Sequence, residues 1–242
     1  MRVSVVVPTY NERDTLPLLL RRLGAVIGRP RFDAEAVVVD DSSPDGTGEV
    51  AAAVGVELRD VLPVVVLSRP GKAGLASAVL DGSRRAQGDV LVIMDSDLSH
   101  PPGAVPALLA PVAGGVDSAV GSRYMPGGGI ARWSAWRRAL SWGATNLARI
   151  TLGITVRDPM SGFFACRRDL FEGVEFEGLG YKLLLELLAA HRTARIEEVP
   201  YRFEERVGGS SKLGGAEIVN YVRLLGRLWG RQRAHGQEGA AP

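Results

Sequence analysis

The sequence predicts an α/β chain built on a mostly parallel, Rossmann-like sheet with helices on both faces. Two observations carry that expectation. Short, continuously apolar runs alternate with amphipathic segments through the first half of the chain, and the polar clusters fall directly after those runs. Parallel strands are buried on both faces, so they read as unbroken aliphatic runs, and ligands in such sheets bind beyond the carboxyl ends of the strands.

Val3 to Val7 reads as the first strand and Thr15 to Val26 as a helix with leucines at helical spacing. Ala36 to Val39 is a second strand. Asp45 opens the next helix, with Ser43 or Asp45 as its cap. Val64 to Leu67 is a third strand, Gly74 to Arg85 a helix, and Val90 to Met94 a fourth strand. The polar clusters PTYNE, DDSSPDGT and DSDLSH follow strands one, two and four. From about Pro126 the pattern changes: a flexible PGGG loop, a helix from Trp133 to Thr151, a leucine-rich helix from Gly180 to Ala190, and a strand from Ala194 to Phe203. The loop RVGGSSKLGG follows, then a last helix from Ala216 to Trp229. The polar tail from Gln232 to Pro242 reads as disordered.

The chain has 242 residues, 46% hydrophobic and 23% charged, which suits one large folded α/β domain and not a disordered chain. A net charge of +2 gives no reason to invoke nucleic acid. The single cysteine, Cys166, excludes an internal disulfide and fits a reducing compartment. Its apolar setting, FFAC, marks it as a buried structural thiol. The N-terminal apolar run is too short for a signal peptide, and no stretch reaches the ~20 apolar residues that cross a bilayer.

The acidic triplet Asp95, Ser96, Asp97 sits at the end of the strand VLVIM. Two carboxylates one residue apart at a strand end reach one divalent cation, Mg²⁺ or Mn²⁺, and such cations bridge carboxylates to phosphates. A solvated acidic turn is the bland alternative. Asp40 and Asp41 end the second strand, where an acid holds a ribose hydroxyl or caps the next helix. The missing glycine-rich turn after strand one argues against a dehydrogenase. GKAG at Gly71 to Gly74 lacks the spacing of a phosphate-binding P-loop. Arg123, Arg137, Arg206 and Lys212 are candidate anion-binding cations, since arginine suits bidentate phosphate contacts. Arg157 and Asp158 read as structural, ahead of an apolar wall. On the last helix Ile218, Val222, Leu225 and Trp229 form one stripe, and Asn220, Arg223, Arg227 and Arg231 the other. That pattern suits an anionic membrane surface, or a helix packed on the domain with its arginines in water.

Taken in order, PTYNE, DDSSPDGT, DSDLSHPP, GSRY, GYK and RVGGSSKLGG resemble the dolichyl-phosphate mannose synthases of glycosyltransferase family 2 and their bacterial polyprenyl-phosphate relatives. The resemblance runs from Pro8 to Lys212. It implies a GT-A fold, with one catalytic domain over residues 1–231: a nucleotide-sugar half at 1–125 and an acceptor and lipid half at 126–231. It also implies inverting transfer of mannose from GDP-mannose to a polyprenyl (dolichyl-type) phosphate. Pro8, Tyr10, Glu12, Val39 and Asp41 are then expected to line the nucleoside pocket, and Asp95, Ser96 and Asp97 to hold the diphosphate and metal. Arg123, Arg137 and Ser141 are expected to meet the lipid phosphate, and Arg206 and Lys212 to clamp the donor phosphates. The chain departs from the pattern at Ser99, where some relatives have Gln, and at Ala165, where many have Arg. The transmembrane hairpins of some relatives have no counterpart. The expected site of action is therefore the cytoplasmic membrane surface, reached through the chain's own helix or a membrane-protein partner.

A phosphate monoester, with a second pKa near ~6, is already anionic at neutral pH and attacks without a general base. Asp97, Arg123, Arg137 and Lys212 are thus the expected catalytic groups, acting by positioning and charge. The rival readings are UDP-glucose or another nucleotide sugar as donor, a sugar hydroxyl as acceptor, and a nucleotide-sugar-binding protein without turnover.

Overall fold

Seven strands form one sheet in the computed structural model of the chain, which describes residues 1–177, 182–205 and 215–238. In chain order the strands are β1 (Arg2–Thr9), β2 (Asp33–Asp40), β3 (Val64–Ser68), β4 (Val90–Ile93), β5 (Ser118–Ser122), β6 (Gly129–Ile130), β7 (Phe164–Arg167), β8 (Ile196–Pro200) and β9 (Arg202–Phe203). The large sheet has the order β3-β2-β1-β4-β7-β5-β8, and β6 pairs with β9 separately. The helices are α1 (Leu16–Ile27), α2 (Thr47–Leu58), α3 (Leu75–Arg85), α4 (Val105–Ala113), α5 (Ala135–Leu152), α6 (Leu183–Ala190) and α7 (Gly215–Glu238).

Strands β3, β2, β1 and β4 are mutually parallel, and β5 is parallel to β8. Strand β7 is antiparallel to both β4 and β5 and joins the two parallel groups. The apolar runs behave as a sheet buried on both faces requires. Val3, Val5 and Val7 enter one core with Leu16, Leu19, Leu20 and Leu23 of α1 and Leu108 and Leu109 of α4. Val6, Val37 and Val39 enter the opposite core with Val79 of α3 and Leu184 of α6. Alternate side chains of one strand thus serve different cores. A third, smaller core of Ala148, Leu152, Leu185, Leu224, Leu225 and Leu228 joins α5, α6 and α7.

The expected α/β class and mostly parallel sheet are observed. Several boundaries differ. The apolar FFAC run is the antiparallel β7, and Cys166 is fully buried there, where desolvation pushes its thiol well above the ordinary range. The single late strand is two strands: β8 ends at Pro200, which has no N–H to continue a ladder, and the chain turns into β9. Helix α5 starts at Ala135, because the Ser134 hydroxyl accepts the Arg137 N–H, and it stops at Gly153 in the left-handed region (φ 66°). Helix α2 starts at Thr47, whose N–H donates to the Asp45 carboxylate at 3.0 Å. Helix α7 continues to Glu238, through residues expected to form a disordered tail. Arg231, Gln232, Arg233 and Ala234 all favour helix, which offsets the absence of an apolar signal there.

Gly82 tests the closeness of packing between α3 and the sheet. A Cβ there would lie 2.5 Å from Val6 Cγ1 and 2.9 Å from Val39 Cγ2. Alanine improves helix propensity by up to about 1 kcal/mol, whereas overpacking costs about 1–3 kcal/mol. Gly82→Ala should therefore destabilise the fold, read as a lower denaturant midpoint at unchanged slope; a raised midpoint would contradict the packing described.

Candidate active site

The carboxyl ends of β1, β2 and β4 lie side by side, because Pro8 and Thr9 pair with Val39 and Asp40 while Val6 pairs with Ile93. The polar loops following these strands therefore share one rim. Side chains stitch the first two loops together. The Asn11 N–H donates to Ser43 Oγ at 2.9 Å, and the Glu12 N–H to Thr47 Oγ1 at 2.9 Å. Asp40 accepts from both the N–H and the hydroxyl of Ser43.

Asp41 is buried beside Arg69, whose Nε donates to Asp41 Oδ1 at 2.6 Å. Arg69 also bonds Ser77 Oγ at 2.9 Å, Asp81 Oδ2 at 3.1 Å and the Gly74 carbonyl at 3.2 Å. The end of β2 is thus pinned to the start of α3. Tyr10 is exposed at the rim, with the Lys72 ammonium 3.7 Å from its ring centroid. Glu12 Oε2 accepts from Thr15 Oγ1 at 2.5 Å. The Val39 side chain is fully buried in the core under α3, so of the residues expected to line the nucleoside pocket it presents only backbone.

In the DSD loop, Ser96 Oγ donates to the Pro8 carbonyl at 3.2 Å. Asp97 is buried, and its Oδ1 accepts from the Ser99 N–H at 3.0 Å and the Ser99 hydroxyl at 2.6 Å. Ser99, where some relatives carry Gln, therefore fixes Asp97. The Asp95 N–H donates to His100 Nδ1 at 3.0 Å, and His100 Nε2 lies 4.0 Å from Asp95 Oδ2. His100 is buried and stacked on Phe163 at 5.1 Å. A Cβ on Gly162 would sit 3.3 Å from His100 Cε1 and 3.7 Å from Asp95 Oδ2, so glycine leaves open the space beside that carboxylate. Among the described residues no cluster of three or more His, Cys, Asp or Glu is arranged to hold a metal. Two hard carboxylates and an open flank nevertheless fit Mg²⁺ or Mn²⁺, which commonly takes one or two carboxylates and completes its shell with phosphate and water.

The second cluster of cations gathers on aromatic rings. Arg123 follows β5 and meets Asp158, which is fully buried, through Nε at 2.7 Å, Nη2 at 2.8 Å and its own backbone N–H at 3.0 Å. Burial opposes the charge on Arg123, but the hydrogen bonds and charge of Asp158 outweigh it and hold the guanidinium above its usual range. Trp133 brings Arg123 and Arg137 together, with its ring centroid 5.8 Å from one guanidinium carbon and 4.0 Å from the other. Ser141 Oγ accepts from Tyr124 OH at 2.9 Å. A cleft of about 720 Å³ opens here, lined by Arg123, Tyr124, Arg138, Trp142, Arg202 and the Gly127–Gly129 backbone. Arg138, and not the expected Arg137, lines it. Phe203 links the two parts of the site: its ring lies 5.7 Å from the His100 ring and 5.7 Å from the Arg123 guanidinium carbon.

Arg206 and Lys212, expected to clamp the donor phosphates, lie outside the described residues, as do Gly180 and Tyr181 of the GYK motif. Arg69, His100, Arg138 and Arg202 were not candidates from the sequence, whereas Asp158, expected to be structural, is the buried partner that orients Arg123. Asp158 and Arg123 are 35 residues apart, so nothing local marks them as partners. His100, by contrast, stands within the DSDLSH cluster and was available as a candidate.

The parallel sheet, with acidic loops beyond its strand ends, defines a GT-A glycosyltransferase fold. Residues 4–174 match the model of "Glycosyl transferase family 2", and the chain belongs to that family. It is 44% identical over 230 residues to a "Dolichol-phosphate mannosyltransferase" of Pyrococcus furiosus, covering 94% of this chain and 64% of that one, so it spans just under two thirds of that relative's length. It is 38% identical to an "Undecaprenyl-phosphate mannosyltransferase" of Micrococcus luteus, covering 97% of this chain and 98% of the relative. The motif resemblance to the dolichyl- and polyprenyl-phosphate mannose synthases is borne out. Among solved structures, glucosyl-3-phosphoglycerate synthase from Mycobacterium tuberculosis in complex with Mg²⁺ and uridine diphosphate superposes with TM-score 0.70 at 24% identity, covering 93% of this chain and 79% of that one. The same enzyme with Mn²⁺, uridine diphosphate and glucosyl-3-phosphoglycerate gives TM-score 0.70 at 25% identity, with the same coverage.

Two outcomes follow from this geometry. Asp158→Ala strands a buried guanidinium and should lower stability by about 3–5 kcal/mol, measured by denaturant unfolding. His100→Ala removes the acceptor for the Asp95 N–H and should raise the Mn²⁺ concentration needed for half-maximal turnover by about 10- to 100-fold. His100→Asn, which keeps an acceptor near the Nδ1 position, should recover part of that loss, whereas equal behaviour of the two variants would remove His100 from the positioning of the DSD loop.

Proposed function

We propose that the protein transfers mannose, with inversion, from GDP-mannose to a polyprenyl monophosphate at the surface of a membrane. The observation that carries the acceptor reading is the arginine-lined cleft. Arg123, Arg138 and Arg202 line it, and no acid is among the described residues that do. Such a site takes a phosphate dianion, and the relatives named above are mannosyltransferases acting on dolichol and undecaprenyl phosphates.

In this reading the acceptor arrives ionised and needs no general base. Arg123, kept charged and oriented by Asp158, holds the nucleophilic phosphate in line with the anomeric carbon. Arg137, anchored on Trp133, and Ser141, bonded to Tyr124, do not line the cleft themselves and support that side from behind its lining. A divalent cation held by Asp95 and Asp97 would neutralise the departing diphosphate. Ser99 and His100 keep the two carboxylates in place. Asp41 and the rim around Tyr10 and Glu12 take the nucleoside, and Arg206 and Lys212 remain the proposed clamp on the donor phosphates. Among the described residues no helix is long and apolar enough to cross a membrane, so the proposed encounter with lipid takes place at the surface, on the cytoplasmic face where nucleotide sugars are available.

A donor screen with a short polyprenyl phosphate tests the reading. GDP-mannose with Mg²⁺ or Mn²⁺ should give turnover, and chelator should abolish it. Asp97→Ala should lose at least about 100-fold in rate while keeping its unfolding midpoint. The rate should stay level above pH ~7, once the acceptor phosphate is ionised. Turnover with UDP-glucose in place of GDP-mannose, or on a sugar hydroxyl without lipid, would overturn the donor or the acceptor assignment respectively.

A further inference from the structure

Two elements wall the cleft. Helix α5 contributes Ala135, Arg138, Ala139 and Trp142, which recur at the three- and four-residue spacing of a single helical stripe. The other wall is the ribbon of β6 and β9, in which Gly129 pairs with Arg202 and Ile130 with Phe203. Successive side chains of a strand point to opposite faces. Phe203 turns inward to Trp133 and His100, so Arg202 is left on the side of the cleft. The Gly127–Gly129 segment lines it as bare backbone. A Cβ on Gly128 would lie 2.6 Å from the Ser122 carbonyl oxygen and 3.1 Å from that of Met125, so no side chain fits there.

The three arginines of the lining are not equivalent in charge. Arg123 is 10% exposed and is bonded through Nε and Nη2 to Asp158, which is 0% exposed. A carboxylate at that range cancels most of the arginine's field, so the pair is close to neutral as met from the cleft. Arg138, by contrast, is exposed and forms no ion pair with the described residues. Arg202 lies 3.9 Å from Glu204, with the two side chains 72% and 50% exposed, a setting in which an ion pair contributes little. The next acid, Glu205, pairs with Arg132 at 3.3 Å. The cleft therefore holds close to two uncompensated positive charges, one on each wall.

We propose that Arg138 and Arg202 supply the counter-charge for the acceptor phosphate and make the cleft selective for a phosphate monoester dianion, while Arg123 orients it. The inference rests on the phosphate-acceptor reading above and adds two residues to it. A monoester carries close to two negative charges above its second pKa near ~6, and two guanidinium groups balance them. A diester carries one charge and leaves one arginine uncompensated. Asp158 engages Nε and Nη2 of Arg123, so Nη1 remains as the donor that sets the direction of the bound phosphate. Counting charge in this way screens for reactivity, because only the dianion has an unesterified oxygen that attacks without a general base. Phospholipid headgroups are diesters, so the same count keeps the cleft from filling with the lipids that surround a polyprenyl acceptor.

The test compares binding of geranyl phosphate and of its methyl ester to the full chain by calorimetry, at about pH 8, where the monoester is a dianion. Chelator is present so that no cation bridges to the phosphate. Wild type should prefer the monoester by about tenfold or more. Arg138→Gln and Arg202→Gln should each lose about tenfold in affinity for the monoester and much less for the methyl ester, so the preference collapses. Arg202→Lys, which retains the charge, should keep most of it. In turnover, both glutamine variants should raise KM for the polyprenyl phosphate more than they lower kcat. Equal binding of the two ligands by wild type overturns the proposal, and so do glutamine variants that keep the wild-type preference. If the preference is present and depends on both arginines, but no mannose reaches polyprenyl phosphate, the transfer reading fails and the assignment of the two arginines stands.

Discussion

The ion pair between Arg123 and Asp158 carries much of the architecture around the arginine-lined cleft. Taking both charges out of water costs several kcal/mol per ion, and the pair offsets that cost only if its geometry is good. Here Asp158 accepts two guanidinium N–H groups and the Arg123 backbone N–H, at 2.7–3.0 Å. Its own backbone N–H, and that of Arg157, donate to Glu198 of β8, at 3.2 and 3.0 Å. A chain of polar contacts therefore runs from β8 through the Asp158 segment to the end of β5. The guanidinium emerges already oriented among Tyr124, Trp133 and Phe203. The aromatic cluster then ties this arginine to His100, and through His100 to the DSD loop.

What the sequence disclosed depended on how local the signal was. Strands β1, β2 and β4 were legible because a strand buried on both faces must be apolar throughout, and Val3 to Val7 and Val90 to Met94 are. The DSD and DDSS clusters were legible because each is contiguous and follows such a run. Strand β5 reads SAVGS, too short and too small in side chain to stand out. Strand β7 follows a loop and pairs antiparallel, which no apolar pattern announces. Partnerships across the chain were invisible for the same reason: Arg69 with Asp41 and Arg123 with Asp158 meet only after folding. The amphipathic pattern of α7 was visible, but which of its faces meets solvent was not. Leu224, Leu225 and Leu228 turn inward, and Glu177, a distant acid, pairs with Arg227 and Arg231.

The two halves of the site differ in how rigidly they are built. At the strand-end rim, loops are held by backbone N–H groups that donate to the side chains of Ser43, Thr47 and Asp45. This suits a rim that must present oxygen ligands at fixed positions. Beside the cleft, Arg137 rests on the Trp133 ring. A flat ring supports a guanidinium through its face and leaves its N–H edge to other partners, as Asp158 engages Arg123.

The small core beneath α5, α6 and α7 has a thermodynamic consequence of its own. Its six buried side chains face sheet cores several times larger, and a local unit opens more readily when it buries fewer apolar contacts. Of the three cores described, this helical layer is therefore the one expected to open most readily. Anything that binds only its closed form shifts that equilibrium by mass action. A ligand held in the cleft against α5 would thus tighten the layer behind it, so that occupancy of the cleft and the stability of this small core are linked quantities.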